Sequence, residues 1–188
     1  LYSLKIINFL IVFSFCVAHI DKLTVFIIQY YSEKGKRIFS MILFEAHQGV
    51  EREAPGNTLI ALKYAAAQGY DYFEVDPNFT SDNKIVLLHD STLDRTALKD
   101  GGEIKNVEIN KITYAEALSY DVGLKFAPKF AGEKIPLLSE AIALAEKYGT
   151  VLKIDNKIQR FPENALEEFF RVITGHEKSV SITCYDID

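Results

Sequence analysis

Cysteine is scarce in this chain. Cys16 and Cys184 are the only two in 188 residues, both lie in apolar runs, and they are far apart. A disulfide framework is excluded, and Cys184 reads as a buried free thiol. A basic excess is also missing. Twenty-one Lys and Arg stand against 26 Asp and Glu, for a formal net charge of −5, and no basic stripe appears. That excludes a nucleic-acid-binding surface. Tryptophan is absent and methionine occurs once, as Met41. Internal repeats and low-complexity linkers are absent too. What is there is an ordinary globular balance, 48% hydrophobic, with enough apolar material for one core.

Residues 1–40 read differently from the rest. An apolar stretch, Ile6–Ala18, follows Lys5. It has the length of a signal-peptide h-region and is short for a membrane span. Cys16 and Ala18 suit the small positions before a cleavage site. The chain begins with Leu1, however, and Met41 stands just before the next apolar run. The expectation is a start at Met41, with residues 1–40 as upstream reading frame and a cytoplasmic product. The rival is a signal or anchor segment, which implies export or membrane contact.

From Met41 onward, strand and helix patterns alternate. Strands are expected at 42–46, 72–76, 85–89, 151–155 and 180–184. Helices are expected at 58–68, closed by Gly69, at 139–148, closed by Gly149, and at 163–173. Asn57 is the expected cap of the first helix. Residues 91–135 read as an irregular excursion with one short helix, 114–120, capped by Thr113. Excursions of that length usually cover a site. The alternation implies a parallel sheet with right-handed crossovers, either a barrel or a doubly wound sheet.

Charged residues sit at the ends of the apolar runs. Glu74 and Asp76 are two apart, as are Asp155 and Lys157, and i and i+2 share one face of a strand. His47 and His89 end two further runs. A charge at the end of a buried strand is costly unless it is paired or holds a metal. Glu74, Asp76 and Asp155 thus read either as ligands of a hard cation, Mg²⁺ or Ca²⁺, or as ion-pair partners of Lys153 and Lys157. His47 and His89 suit proton transfer near neutral pH. Lys157 can neutralise charge developing on a phosphoryl group.

These residues occur in a recognisable order: His47-Gln48-Gly49, Pro55-Gly56-Asn57-Thr58, Glu74-Val75-Asp76, His89-Asp90 and Leu93-Asp94-Arg95-Thr96. Together with the segment 126–140 and Ile154-Asp155-Asn156-Lys157, they resemble the glycerophosphodiester phosphodiesterase family. The usual family forms are His-Arg-Gly, Pro-Glu-Asn-Thr, Glu-Leu-Asp and His-Asp. Gln48 stands where the family has Arg, Gly56 where it has Glu, and Asp155 where Glu is usual.

The resemblance implies an α/β fold, a (β/α)₈ TIM barrel. About five of its eight strands are expected here, so residues 41–188 read as the N-terminal part of a C-terminally truncated barrel. It implies metal-dependent hydrolysis of a small glycerophosphodiester to glycerol 3-phosphate and an alcohol. The catalytic pair would be His47 and His89, the metal ligands Glu74, Asp76 and Asp155, and the phosphate contacts Lys157 and Gln48. The alternatives are a lysophospholipid- or sphingolipid-type phosphodiesterase, or a non-catalytic phosphodiester-binding domain.

Overall fold

The structure, a computed structural model, describes residues 11–20, 23–31 and 37–183, with side chains from Ile42 to Thr183. It forms two compact units, Leu1–Glu45 and Ala46–Asp188. In the first, β1 (Ile11–Ile20) and β2 (Leu23–Tyr31) pair antiparallel, with a register shift between Cys16 and Ala18. Much of the apolar run with h-region length is thus extended chain. Strand β3 (Arg37–Ala46) contains the expected strand 42–46 but begins before Met41. Among the described residues no helix is long and apolar enough to cross a membrane.

The second unit is built on three parallel strands. Strand β4 (Tyr72–Val75) pairs with β9 (Val151–Ile154), and β9 with β10 (Val180–Ile182). Cys184, the expected end of the last strand, lies outside the described residues. Helices α1 (Leu59–Ala67), α3 (Leu138–Tyr148) and α4 (Glu163–Ile173) cover one face of the sheet. Their apolar positions recur at helical spacing: Ala61, Leu62 and Ala65 in α1, and Leu138, Ala141, Ile142 and Ala145 in α3, are all buried. All but Ala61, which packs with Ala54 and Phe130, join Phe73, Val75, Leu152, Ile154 and Phe169 in one core. Burial of each such large side chain contributes roughly 1.5–3 kcal/mol. Gly149 ends α3 in the left-handed region, φ 67°.

Two elements differ from expectation. Thr58, not Asn57, caps α1, its hydroxyl accepting from Ala61 N–H at 3.3 Å. The segment expected as the strand 85–89 does not join the parallel sheet. Strand β6 (Ile85–Leu87) pairs antiparallel with β5 (Pro77–Phe79). Only Thr80–Lys84 connects them, whereas a parallel pair needs a crossover of about a dozen residues. The ladder runs one pair further, Leu88 N–H donating to Asp76 C=O at 3.0 Å.

The excursion 91–135 is packed rather than loose. It holds a small hairpin, β7 (Leu98–Lys99) with β8 (Gly102–Glu103), and the short helix α2 (Tyr114–Ala117), capped by Thr113 as expected. It has its own core, in which Leu93, Ile109, Val122 and Ile135 meet Val86 and Leu88.

Candidate active site

Alternation along the strands sorts the site from the core. Phe73 and Val75 of β4 face the helices, as do Leu152 and Ile154 of β9. The intervening residues point the other way, and Glu74 lies beside Lys153 in the register. Asp155 continues this alignment, its N–H donating to Val75 C=O at 3.0 Å, so Asp155 and Asp76 sit at neighbouring strand ends.

Asp76 is the hub and is almost fully buried. One carboxylate oxygen, Oδ2, accepts from Gln48 Nε2 at 2.8 Å and Asn57 Nδ2 at 2.7 Å. The other, Oδ1, meets Lys157 Nζ at 2.7 Å. Asn57 completes the clamp, its Oδ1 accepting from Asp76 N–H at 2.9 Å. A buried carboxylate costs several kcal/mol in lost hydration unless it is answered this way. Lys157 belongs to a 3₁₀ turn, Asn156–Arg160, because β9 ends at Ile154. The i, i+2 spacing therefore does not align Lys157 with Asp155 on a strand. The turn instead carries its ammonium to Asp76 and to His89 C=O, 2.9 Å away.

The two histidines have parallel settings. His47 Nδ1 lies 3.1 Å from Glu51 Oε1, and its Nε2 lies 4.0 Å from Glu74 Oε2. His89 Nδ1 lies 2.7 Å from Asp90 Oδ1. Asp90 is gripped in turn by Arg95, whose Nε and Nη2 donate at 2.6 and 3.1 Å. That guanidinium holds the Asp90 carboxyl below the usual carboxylate range, against the opposing effect of partial burial. In each imidazole a carboxylate lies against Nδ1. Glu51, Asp90 and Asn57 are site residues that the sequence patterns do not single out as such. The signals were the i, i+4 spacing of His47 and Glu51 and the adjacency of His89 and Asp90.

Gln48 is held by the strand-end carboxylates. Its backbone N–H donates to Glu74 Oε2 at 2.9 Å and its side-chain N–H donates to Asp76. Its backbone N–H and one of the two N–H donors on Nε2 are committed to carboxylates. The family's usual Arg is thus replaced by a residue that braces Asp76.

Among the described residues no three His, Cys, Asp or Glu side chains are drawn together as a metal-holding group. The donor chemistry nevertheless suits a hard cation. Glu74, Asp76 and Asp155 offer oxygen only, from adjoining strand ends. Asp76 Oδ1 already answers a positive charge from Lys157.

The fold is part of a (β/α)₈ TIM barrel, with ionisable side chains gathered at the carboxyl ends of its strands. The sequence profile of the glycerophosphoryl diester phosphodiesterase family matches residues 47–182, and the chain belongs to that family. Among curated relatives, the glycerophosphodiester phosphodiesterase of Caldanaerobacter subterraneus subsp. tengcongensis is 37% identical over 112 residues, 60% of this chain and 44% of that protein. Human glycerophosphodiester phosphodiesterase 1 is 37% identical over 113 residues, 60% of this chain and 33% of that protein. Among solved structures, a phosphodiesterase of Oleispira antarctica in complex with the product sn-glycerol-3-phosphate superposes with TM-score 0.62 at 32% identity, covering 70% of this chain and 51% of that one. The glycerophosphodiester phosphodiesterase of Agrobacterium tumefaciens shares the fold, with TM-score 0.56 at 24% identity over 74% of this chain and 56% of that one. The chain therefore spans about half or less of the length of these relatives. Members of the family are generally dependent on a divalent metal.

Proposed function

We propose that the intact protein hydrolyses a small glycerophosphodiester to glycerol 3-phosphate and an alcohol. The observation that carries this reading is the pair of carboxylate-held imidazoles, His47 with Glu51 and His89 with Asp90, flanking the Asp76–Lys157 pair at the strand ends. Family membership and the product bound by the Oleispira relative support it.

One histidine takes the proton of the attacking nucleophile through Nε2, and the other gives a proton to the departing alkoxide. General acid–base groups of this kind contribute about 10²–10⁴-fold. Lys157, fixed by Asp76 and the His89 carbonyl, offsets the negative charge that builds on the phosphoryl oxygens. Glu74, Asp76 and Asp155 would hold Mg²⁺ or Ca²⁺, which supplies further charge neutralisation at the phosphate. Asn57 and Gln48 keep the Asp76 carboxylate in one orientation throughout.

The test is a coupled glycerol 3-phosphate assay on the intact protein, with and without chelator. Turnover that depends on metal and falls in His47→Ala and His89→Ala supports the reading. Metal binding without turnover of any glycerophosphodiester assigns the domain to phosphodiester binding instead.

A further inference from the structure

A cavity of about 300 Å³ opens beside the site, lined by Gln48, Gly56, Thr58, His89, Thr96 and Phe126 among others. Glu74, Asp76 and Asp155 do not line it. Whatever part of a diester is held at those carboxylates, the cavity receives the other part.

Its polar wall has a definite sense. Gln48 is more than nine-tenths buried. Its Nε2 is anchored on Asp76, so its carbonyl oxygen, Oε1, must be the atom turned the other way. Among the described residues no protein donor reaches that oxygen. A Cβ on residue 56 would lie 2.7 Å from it, 3.2 Å from Gln48 Cβ and 3.1 Å from Glu51 Cβ. Only glycine at 56 leaves this rotamer of Gln48 undisturbed. Thr96 also lines the cavity, and its Oγ1 is enclosed without a hydrogen-bond partner among the described residues. An unmet buried hydroxyl is costly, so a side-chain rotation that turns it onto a ligand group recovers a hydrogen bond. An amide oxygen repels a phosphate oxygen and accepts from a hydroxyl or an ammonium.

We propose that this cavity is the head-group subsite, that it takes an alcohol carrying a hydrogen-bond donor, a hydroxyl or primary ammonium, on Gln48 Oε1 and Thr96 Oγ1, and that Gly56 sets this preference. The proposal rests on the phosphodiesterase reading above. It reverses the sense of the position: where the family's Arg offers donors to an anion, this chain offers an acceptor to a donor.

The experiment compares glycerophosphoethanolamine with glycerophosphocholine, which differ in having N–H donors or N-methyl groups. On the intact protein, kcat/KM should favour the ethanolamine diester by about 10-fold, the scale of one well-made hydrogen bond. Thr96→Val, nearly isosteric and outside the acid–base machinery, should shrink that ratio several-fold and leave the choline diester within two-fold. Gly56→Ala should shrink it too, because Gln48 must turn away, and the ratio cancels any general loss of activity. Equal kcat/KM for the two diesters, or a ratio that neither variant moves, overturns the subsite. If neither diester is hydrolysed, the phosphodiesterase reading fails separately. Calorimetric titration of the same two compounds then decides the subsite, and equal affinities overturn it.

Discussion

At the scale of single residues, chemistry here depends on which atom of each side chain is already occupied. Both imidazoles surrender Nδ1 to a carboxylate. His47→Ala and His89→Ala should each lower turnover by about 10²–10⁴-fold while metal binding persists. A histidine variant with unchanged kcat removes that residue from proton transfer. Asp90 carries a pH signature. Arg95 holds its carboxyl below the ordinary value of 3.8. A depressed carboxylate contributes stability that is complete above the ordinary value and is lost only as pH falls through the lowered one. The Arg95–Asp90–His89 chain should thus survive acidification to about pH 4. Carbon-13 NMR of Asp90 should place its midpoint below 3.8, and Arg95→Ala should raise it. A midpoint that Arg95→Ala does not move would show that the guanidinium is not the cause.

At the scale of elements, helix spacing and strand alternation carry most of the information. Phe169 of α4 is fully buried against the sheet core and stacks edge-on with Phe161. Phe169→Ala should cost roughly 3–5 kcal/mol, read as a lower urea midpoint. A cost below about 1 kcal/mol would mean that α4 is not anchored there. The excursion depends on different contacts. Asp121 accepts from the backbone N–H groups of Gly123, Leu124 and Gly132, and a Cβ at Gly123 would lie 1.9 Å from Phe130 C=O. Gly123→Ala should loosen 121–133 first, seen as faster amide exchange there while β4 and β9 stay protected. The apolar run that marked 85–89 as a strand was right about the extended backbone at Ile85–Leu87. It was silent on direction, and only the shortness of 80–84 forbade a parallel partner.

At the scale of the whole molecule, metal and sheet edge are the two levers. If Glu74, Asp76 and Asp155 hold a divalent ion, Mg²⁺ or Ca²⁺ should raise the Tm of the intact protein, by mass action on the folded state. Glu74→Gln should remove most of that rise. No metal-dependent shift in the folded protein would sink the ligand set. Among the described residues β10 pairs only with β9, and Phe170, Ile173, Val180 and Ile182 line an apolar hollow of about 310 Å³ beside it. An unpaired edge next to exposed apolar surface invites association. The 188-residue chain should self-associate on size-exclusion chromatography. A monodisperse short chain would show that this edge is already protected.

The local code of the sequence determined the three long helices to within a residue or so, the apolar faces, the family and the ionisable residues at the strand ends, while the short helix expected at 114–120 ends at Ala117. It could do so because spacing and motif order are one-dimensional properties. Tertiary structure alone decided which atoms meet. That Lys157 turns to Asp76, that Asn57 leaves helix capping to Thr58 and clamps the same carboxylate, and that Gln48 points its donors inward all follow from contacts between distant segments. Gln48 and Gly56 stand out in sequence only as two separate departures from family forms. In space they are one feature, because the oxygen of the first fills the place where a side chain of the second would be. Hydrogen bonds are short-range and directional, so partner choice is set by the folded geometry and leaves no periodic trace in the chain.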